Sequence, residues 1–417
     1  MDVHNKSITA SLHLTGFAFG AAFFAYAFAL RVAPGVMVQE LMAEFAVGGA
    51  VLGYMSAFYF YTYASLQIPI GVLMDRIGPR RLMTVAACIV ALGCWVFATS
   101  KHIEGAYLGR ALIGLGCAFS WPGTLALVHL WFPNRFALLA GISQFIAMGG
   151  AMLGQAPLAA SVEAYGWRAA SLALAFVGIA LAVLVYLTAR DRPHVSSEAP
   201  DTPSAGQRTV FTKQTWLAAG FGLAITCGVL TIGGLWGVPY LMATYAMERT
   251  SAAGIVSLAF LGHGCGCVFF GWWSDRIKRR KTPMLIGGAL CVVSQCMFLW
   301  GPALPPVLLG VVVFLMGLGG ACMVLPFALA RESADPRRAG LIIGVVNTAV
   351  VGSGAIFQPA VGTLLDMMWD GSLTANGARL YAAIDYSIAL SVLPAVGCIG
   401  LVLVLCMRET FATQRAD

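Results

Sequence analysis

The chain has 417 residues, of which 59% are hydrophobic and only 10% are charged, and its formal net charge is +7. A soluble domain carries about 25% charged residues, so this composition excludes an ordinary water-soluble protein and favours one that lies in a lipid bilayer. The positive charge does not indicate a nucleic-acid partner, because Lys and Arg occur in short clusters between long apolar runs.

The apolar residues form twelve runs, each long enough for a helix that crosses a membrane. The predicted spans are 12–38, 48–73, 82–100, 104–132, 136–161, 168–188, 215–245, 252–274, 283–300, 304–330, 338–366 and 380–407. We therefore predict an all-α membrane protein of two six-helix bundles, residues 1–189 and 215–417, joined by a polar linker at 190–214. No cleavable secretory signal is recognisable at the start of the chain.

The positive residues predict the orientation. With both termini placed in the cytoplasm, nineteen Lys and Arg lie on the cytoplasmic side and four on the outer side. Because positive loops resist translocation, we expect a multi-pass protein of the bacterial inner (plasma) membrane with both termini inside. The eleven cysteines lie within apolar runs, and we interpret them as packing residues rather than metal ligands or redox groups. No cofactor is expected.

Residues of the first half recur in the same order in the second half. The matched pairs are Gly71 with Gly271, Asp75 with Asp275, Arg76 with Arg276, Arg135 with Arg338, Gly141 with Gly344, Gln155 with Gln358 and Glu163 with Asp366. The offset is 200 for the first three pairs and 203 for the others, so one short insertion separates them. A duplicated six-helix unit is typical of transporters in which two bundles rock about a central site.

Two motifs extend this interpretation. One reads Gly71-Val-Leu-Met-Asp75-Arg76-Ile-Gly78-Pro79-Arg80-Arg81, and the other reads Arg110-Ala-Leu-Ile-Gly114-Leu-Gly116. With them the chain resembles the major facilitator superfamily over nearly its whole length. The resemblance implies alternating access, with gating residues at the seam between the bundles. The predicted gating residues are Gly71, Asp75, Arg76, Arg80, Gly271, Asp275, Arg276, Arg135 and Arg338. In the alternative, these residues only anchor loops and set the topology.

Charged groups within the spans are few. All eighteen Asp and Glu can be placed at span ends, in loops or in the termini, whereas Arg31, Arg110 and His263 lie deeper. A charge in the hydrocarbon costs about 2.5 kcal/mol or more unless it meets a partner or a wet cavity. A substrate anion would supply that partner, and arginine can hold a carboxylate or phosphate with two parallel hydrogen bonds.

Each of these residues has an alternative interpretation. Arg31 could instead reach the outer surface and anchor its helix. Arg110 could bond main-chain carbonyls rather than serve coupling, and His263 could be a satisfied interhelical donor. The predicted substrate-binding residues are Arg31, Tyr59, Tyr63, Trp121, Gln155, Trp236, His263 and Gln358. The predicted coupling residues are Arg110, because the family resemblance links this position to proton movement or helix packing, and His263, because histidine titrates near neutral pH.

We therefore predict a secondary active transporter of a small organic anion, a carboxylate or a phosphate ester, coupled to a proton or sodium or working by exchange. The segment around Arg31 and the stretch Gln67-Ile68-Pro69-Ile70-Gly71 resemble the sugar-phosphate and organic-acid carrying branches of the family. An exporter of a siderophore, drug or metabolite is the alternative. An enzyme is not expected, because we find no nucleophile–base pair, no HExxH and no GxxxxGK[ST]. The expected partners are the substrate and the lipid bilayer, with a monomer as the functional unit.

Overall fold

The computed structural model describes residues 2–191, 212–333 and 339–411. Within these residues the chain is almost entirely helical, as predicted for an all-α membrane protein. Twelve helical segments, α1 to α12, follow one another in chain order. The predicted linker at 190–214 falls largely outside the described residues.

The first six segments are joined by short connections and form the first half of the molecule. They are α1 (Asp2–Val32), α2 (Gly49–Ser65, continued by Gln67–Ile77), α3 (Pro79–Thr99), α4 (Ile103–Cys117, continued by Ser120–Trp131), α5 (Phe136–Leu153 and the start of Ala156–Thr188) and α6 (the remainder of Ala156–Thr188).

The last six segments form the second half. They are α7 (Lys213–Thr231, Ile232–Trp236 and Gly237–Tyr245), α8 (Arg249–Ile277), α9 (Lys281–Trp300), α10 (Pro306–Gly320 and Leu325–Glu332), α11 (Ala339–Met368) and α12 (Ala383–Leu390 and Val392–Cys406).

The number of membrane crossings follows from helix length. Ten helices of the described part are long and apolar enough to cross a bilayer, or eleven with the bent pair Val38–Phe45 and Gly49–Ser65. One of the ten, Leu138–Thr188, has 51 residues and is about 76 Å long, more than twice the roughly 30 Å of a bilayer core. Gly166 breaks it with a positive φ of 81°, so it crosses twice and the total is twelve.

Twelve crossings place both ends of the chain on one face of the molecule. We call it the terminal face, and it carries the connections at Gly78, Arg135 and Lys278. The opposite face, which we call the distal face, carries the connections at Ala46, Gly166 and Ala246, and also the loop at 369–382. The short helix Val38–Phe45, which the sequence predicted as a loop, lies at the distal face and turns by 113° into α2.

Several predicted spans are broken rather than continuous. Spans 104–132 and 304–330 were predicted as single helices, yet α4 breaks after Cys117 and α10 contains a 3₁₀ turn at Ala321–Val324. Proline follows each break, at Pro122 in α4 and at Pro326 in α10. Because proline has no N–H to donate, the continuous hydrogen-bond pattern is lost at these points.

Two further breaks lie against each other where the two halves meet. α1 ends in a 3₁₀ turn at Ala33–Val36, and α7 contains a π turn at Ile232–Trp236. The backbones touch so closely that a Cβ atom at Gly35 would lie 3.0 Å from the Gly234 carbonyl oxygen. The glycines therefore allow the broken parts of the two halves to pack against each other.

The halves also meet along α2 with α11 and along α5 with α8. A Cβ at Gly53 would lie 2.6 Å from the Gln358 carbonyl oxygen, and one at Gly264 would lie 3.3 Å from Met148. Small residues at these positions let helices approach closely, which is how helices associate in a membrane without a hydrophobic driving force.

Candidate functional site

Arg31 lies at the end of α1 in a group of aromatic rings. The residue is 7% exposed, and its guanidinium carbon lies 4.2 Å from the ring centroid of Phe28 and 5.2 Å from that of Tyr63. Its Nε donates to the Tyr59 hydroxyl at 3.4 Å. The structure thus brings together three predicted residues, Arg31, Tyr59 and Tyr63. The rings attract the cation through their negative faces, but they do not neutralise it.

Arg110 of α4 packs beside the ring of Tyr59, which Arg31 also contacts. It is 2% exposed, and its guanidinium carbon is 5.1 Å from the Tyr59 ring centroid. Its Nη1 donates to the Leu30 carbonyl oxygen at 2.8 Å, which ties α4 to the last turn of α1. Its Nε and Nη2 are buried without a hydrogen-bond partner in the described part of the chain.

Two buried cations therefore lie close to one ring, with the guanidinium carbons of Arg31 and Arg110 at 5.5 and 5.1 Å from the Tyr59 centroid. The described residues form five ion pairs, and every one of them lies elsewhere. Buried charges in proteins are normally paired, because desolvation removes several kcal/mol of hydration. Around Tyr59 the described residues supply positive charge and no carboxylate within ion-pair distance.

Trp121 and His263 lie against other neighbours. Trp121 of α4 stacks on Phe24 with ring centroids 4.8 Å apart. His263 of α8 is 6% exposed, and its Nδ1 is buried without a partner among the described residues. The next residue, Gly264, faces Met148 of α5, so this part of α8 lies at the contact between the halves.

Gln155, Gln358 and Trp236 meet at the π turn of α7. Gln155 Nε2 donates to the Gly233 carbonyl oxygen at 2.7 Å, and Gln358 Nε2 donates to the Leu230 carbonyl oxygen at 2.8 Å. Trp236 Nε1 donates to the Gln358 carbonyl oxygen at 3.0 Å. These three predicted residues are 0% exposed, and their donors are occupied by main-chain oxygens.

The predicted gating residues of the first half lie at the terminal face. Arg80 donates from Nε to the Tyr186 carbonyl oxygen at 2.8 Å and from its main chain to Asp191 at 2.9 Å. Arg76 and Arg135 are exposed. The surroundings of Gly71 and of the Asp75 side chain are not described, and Arg338 lies outside the described residues.

Two predicted gating residues of the second half, Gly271 and Asp275, line a pocket at the terminal face. The pocket has a volume of about 530 Å³ and is lined by Gly271, Asp275, Arg280 and Glu332, among others. Arg280 pairs with Asp275 and with Glu332, each at 2.6 Å. Arg276 is exposed.

Gly271 does not mark a close contact between helices. A glycine at a helix seam can let a neighbouring helix approach closely, yet a Cβ placed at Gly271 would meet nothing within 4 Å. The glycine faces the pocket instead. In this conformation, therefore, Gly271 leaves space open rather than closing a helix contact.

Polar contacts between the halves gather at the distal face. Asp366 of α11 accepts hydrogen bonds from the main-chain N–H groups of Gly49 and Ala50, both at 2.9 Å, and so caps the start of α2. It also accepts from the Tyr381 hydroxyl and pairs with Arg379 at 3.0 Å. Burial, followed by the bond to Asp366, raises the pKa of Tyr381 above its usual value, so this hydroxyl remains a donor.

The equivalent contact joins α5 and α8. Glu163 accepts a hydrogen bond from the Thr250 hydroxyl at 2.8 Å, and the neighbouring Arg249 pairs with Glu40. The two carboxylates, Glu163 and Asp366, are 203 residues apart, and each meets the first turn of a helix from the other half. The sequence repeat marked both residues, but it did not indicate that they close the distal face.

A sequence model of the Major Facilitator Superfamily matches residues 12–359. The chain is 24% identical over 375 residues to the gentisate transporter of Corynebacterium glutamicum, covering 86% of this chain and 82% of that protein. It is 23% identical over 387 residues to the uncharacterized transporter YybO of Bacillus subtilis, covering 83% and 85%.

A similar fold occurs in a solved structure, the bacterial homolog of the human lysosomal transporter Spinster in an inward-facing and occupied conformation. The TM-score is 0.76 at 16% identity, and the superposition covers 94% of this chain and 95% of that one. The matching family and the shared fold are those of transporters and not of enzymes. The chain therefore belongs to the major facilitator superfamily and is a multi-pass membrane transporter.

Proposed function

We propose that this transporter carries a small organic anion, a carboxylate or a phosphate ester, by alternating access. The observation that carries the proposal is the pair of buried arginines, Arg31 and Arg110, whose guanidinium carbons both lie within 5.5 Å of the Tyr59 ring centroid, with no carboxylate of the described residues in ion-pair contact. A substrate anion neutralises the positive charge of this site, because it supplies the negative charge that the described residues do not place there.

The residues around Arg31 take distinct parts in binding. Its guanidinium offers donors that match the two oxygens of a carboxylate or phosphate, while Phe28 and Tyr63 hold it by their ring faces. Arg110 ties α4 to α1 through the Leu30 carbonyl oxygen and adds a second positive charge near the anion. Loading the site therefore removes the repulsion between the two cations and changes the electrostatics at the end of α1.

The comparisons support this substrate class. The C. glutamicum relative is a gentisate transporter, and gentisate is a carboxylate. In our proposal the energy comes from a coupled proton or sodium ion or from exchange, and the protein works as a monomer. The protein lies in a bacterial inner membrane with its terminal face towards the cytoplasm, an orientation that the distribution of Lys and Arg favours.

The predicted gating residues fit the same cycle. Asp275 and Arg280 line a pocket at the terminal face while the distal face is held closed by Asp366 and Glu163. We propose that the terminal-face residues close their side of the pathway when the distal contacts separate, so that the substrate site opens to one face at a time.

The test is ligand-dependent stability of the purified protein. Melting temperature in detergent is measured with a panel of organic acids, phosphate esters, amino acids and lipophilic cations, for wild type and for Arg31→Gln. A ligand present at one hundred times its dissociation constant stabilises the folded state by about 2.7 kcal/mol. We expect stabilisation by a small anion in wild type and its loss in Arg31→Gln.

Arg168→Gln is the matched control. This arginine lies at the distal face, where its side chain is 35% exposed and pairs with Glu44, so its loss removes one positive charge away from Tyr59. Loss of anion binding in both variants would show a general charge effect and contradict the site. Stabilisation only by bulky or cationic compounds, with no effect of Arg31→Gln, would instead support an exporter.

A further inference from the structure

The π turn of α7 is held by two glutamines that come from different halves of the molecule. Gln358 belongs to α11, in the same half as α7, and binds the Leu230 carbonyl oxygen. Gln155 lies in the connection between the two parts of α5, in the other half, and binds the Gly233 carbonyl oxygen. The repeat thus places one amide on each side of the same broken helix.

The break makes these carbonyl oxygens available. In a π turn the main-chain hydrogen bonds run from i to i+5, and such turns occur frequently at functional sites. An amide that binds a carbonyl at such a turn both satisfies the oxygen and fixes the local shape. Both amides are fully buried, so water does not substitute for them in this conformation.

The surrounding packing couples the turn to the first half. The 3₁₀ turn that ends α1 lies against it, with Gly35 beside Gly234 and Leu235. Gln155 and Gly35 therefore hold the π turn from two helices of the first half. Both contacts cross between the halves, whereas the Gln358 contact does not.

We propose that Gln155 is a positioning residue of the transport cycle, whose amide fastens the α7 π turn to the first half while the distal face is closed. When the halves separate at the distal face this bond breaks, whereas the bond from Gln358 moves with its own half and is kept. The inference rests on alternating access, which is part of the proposed function, but not on an anionic substrate.

The pseudo-symmetric glutamines give a matched pair of variants. Methionine has nearly the length of glutamine and no amide donor. Gln155→Met removes a bond that only the distal-closed conformation makes, so it favours opening by about fivefold, equivalent to about 1 kcal/mol for one neutral hydrogen bond. Gln358→Met removes a bond that both conformations keep and leaves that equilibrium unchanged.

Hydrogen exchange of the full-length protein in lipid nanodiscs, followed by mass spectrometry, measures the opening without any substrate. The reporters are the first turns of α2 and α8 at the distal face, read at Leu52 and Ala252, whose main-chain amides bond to Gly48 and Glu248 and to neither glutamine. We expect exchange at both reporters to rise about fivefold in Gln155→Met and to stay at the wild-type rate in Gln358→Met, where only the α7 segment exchanges faster.

Gly35→Ala is a second variant that tests the proposal and leaves both glutamines intact. Its Cβ would lie 3.0 Å from the Gly234 carbonyl oxygen and 3.3 Å from the Leu235 Cα, and because these are backbone atoms the two turns must separate. We expect faster exchange at the distal reporters here too. Unchanged reporters in Gln155→Met and Gly35→Ala, or equal acceleration in Gln155→Met and Gln358→Met, would overturn the proposal. If no compound of the ligand panel stabilised the protein, the proposed anionic substrate would fail, but the hydrogen-exchange test of Gln155 would be unaffected.

Discussion

Asp366 is expected to dominate the closure of the distal face. Its carboxylate accepts two main-chain hydrogen bonds at the start of α2, and its side chain is 20% exposed. In Asp366→Asn one carbonyl oxygen can still accept, but the other position becomes an NH₂ group that faces a main-chain N–H. One hydrogen bond to a charged acceptor, which contributes about 1.5–3 kcal/mol, is therefore lost.

This loss corresponds to a rise in the open population of about 10- to 150-fold. The ion pair with Arg379 adds little, because the arginine side chain is 31% exposed and exposed pairs contribute about 0–1 kcal/mol. Hydrogen exchange at Ala252 in the first turn of α8 is the assay. This amide bonds to Glu248 and not to Asp366, so faster exchange there reports separation of the halves rather than a local loss.

Glu163→Gln is the control at the equivalent position. Glu163 makes one bond to a hydroxyl at an exposed site, and glutamine can still accept that bond, so exchange at Leu52 of α2 should rise by less than about threefold. If Asp366→Asn left exchange at Ala252 at the wild-type rate, or if both variants acted equally, the capping carboxylate would not be what closes the distal face.

Two further pairs of variants test packing and the terminal face by thermal unfolding. Gly150→Ala is expected to lower the melting temperature strongly, because its Cβ would overlap a carbonyl oxygen of α1. Gly149→Ala should leave the melting temperature unchanged, because nothing lies within 4 Å of a Cβ at that position. Equal effects of the two variants would show that α1 and α5 do not pack as described. Arg280→Gln leaves the half-buried Glu332 without its arginine partner and should cost about 3 kcal/mol. The exposed Arg279→Gln should stay within about 0.5 kcal/mol, and a neutral Arg280→Gln would contradict the buried ion-pair cluster.

The spans were predictable because lipid imposes its constraint on each segment separately. Every main-chain polar group within the bilayer core must be satisfied inside its own helix, so a run of about 20 apolar residues predicts a crossing whatever its neighbours are. The twelve predicted spans were confirmed, and the breaks inside them were not predicted. Pro122 and Pro326 follow two of these breaks, and Pro239 follows the π turn at Ile232–Trp236, but a proline does not by itself indicate which kind of turn precedes it.

The positions of the two buried arginines, Arg31 and Arg110, were only partly predictable. The sequence shows that Arg31 and Arg110 lie within apolar runs without a nearby carboxylate, because this depends on position along the chain. It does not show that both lie on the ring of Tyr59, which belongs to another helix. That arrangement depends on how α1, α2 and α4 pack side by side, and hydropathy carries no information about lateral packing.

The sequence by itself determined the membrane class, the crossings, the internal repeat and the family resemblance, because these follow from hydropathy along single segments and from motif spacing. Only the tertiary structure decided how the two halves contact each other. It placed Asp366 on the first turn of α2, paired Gln155 with an oxygen of α7 and left Gly271 facing a pocket. These contacts join residues 78 to 317 positions apart, and they exist only in one relative position of the two halves. A repeat in sequence fixes the symmetry of the halves, whereas their packing fixes the conformation.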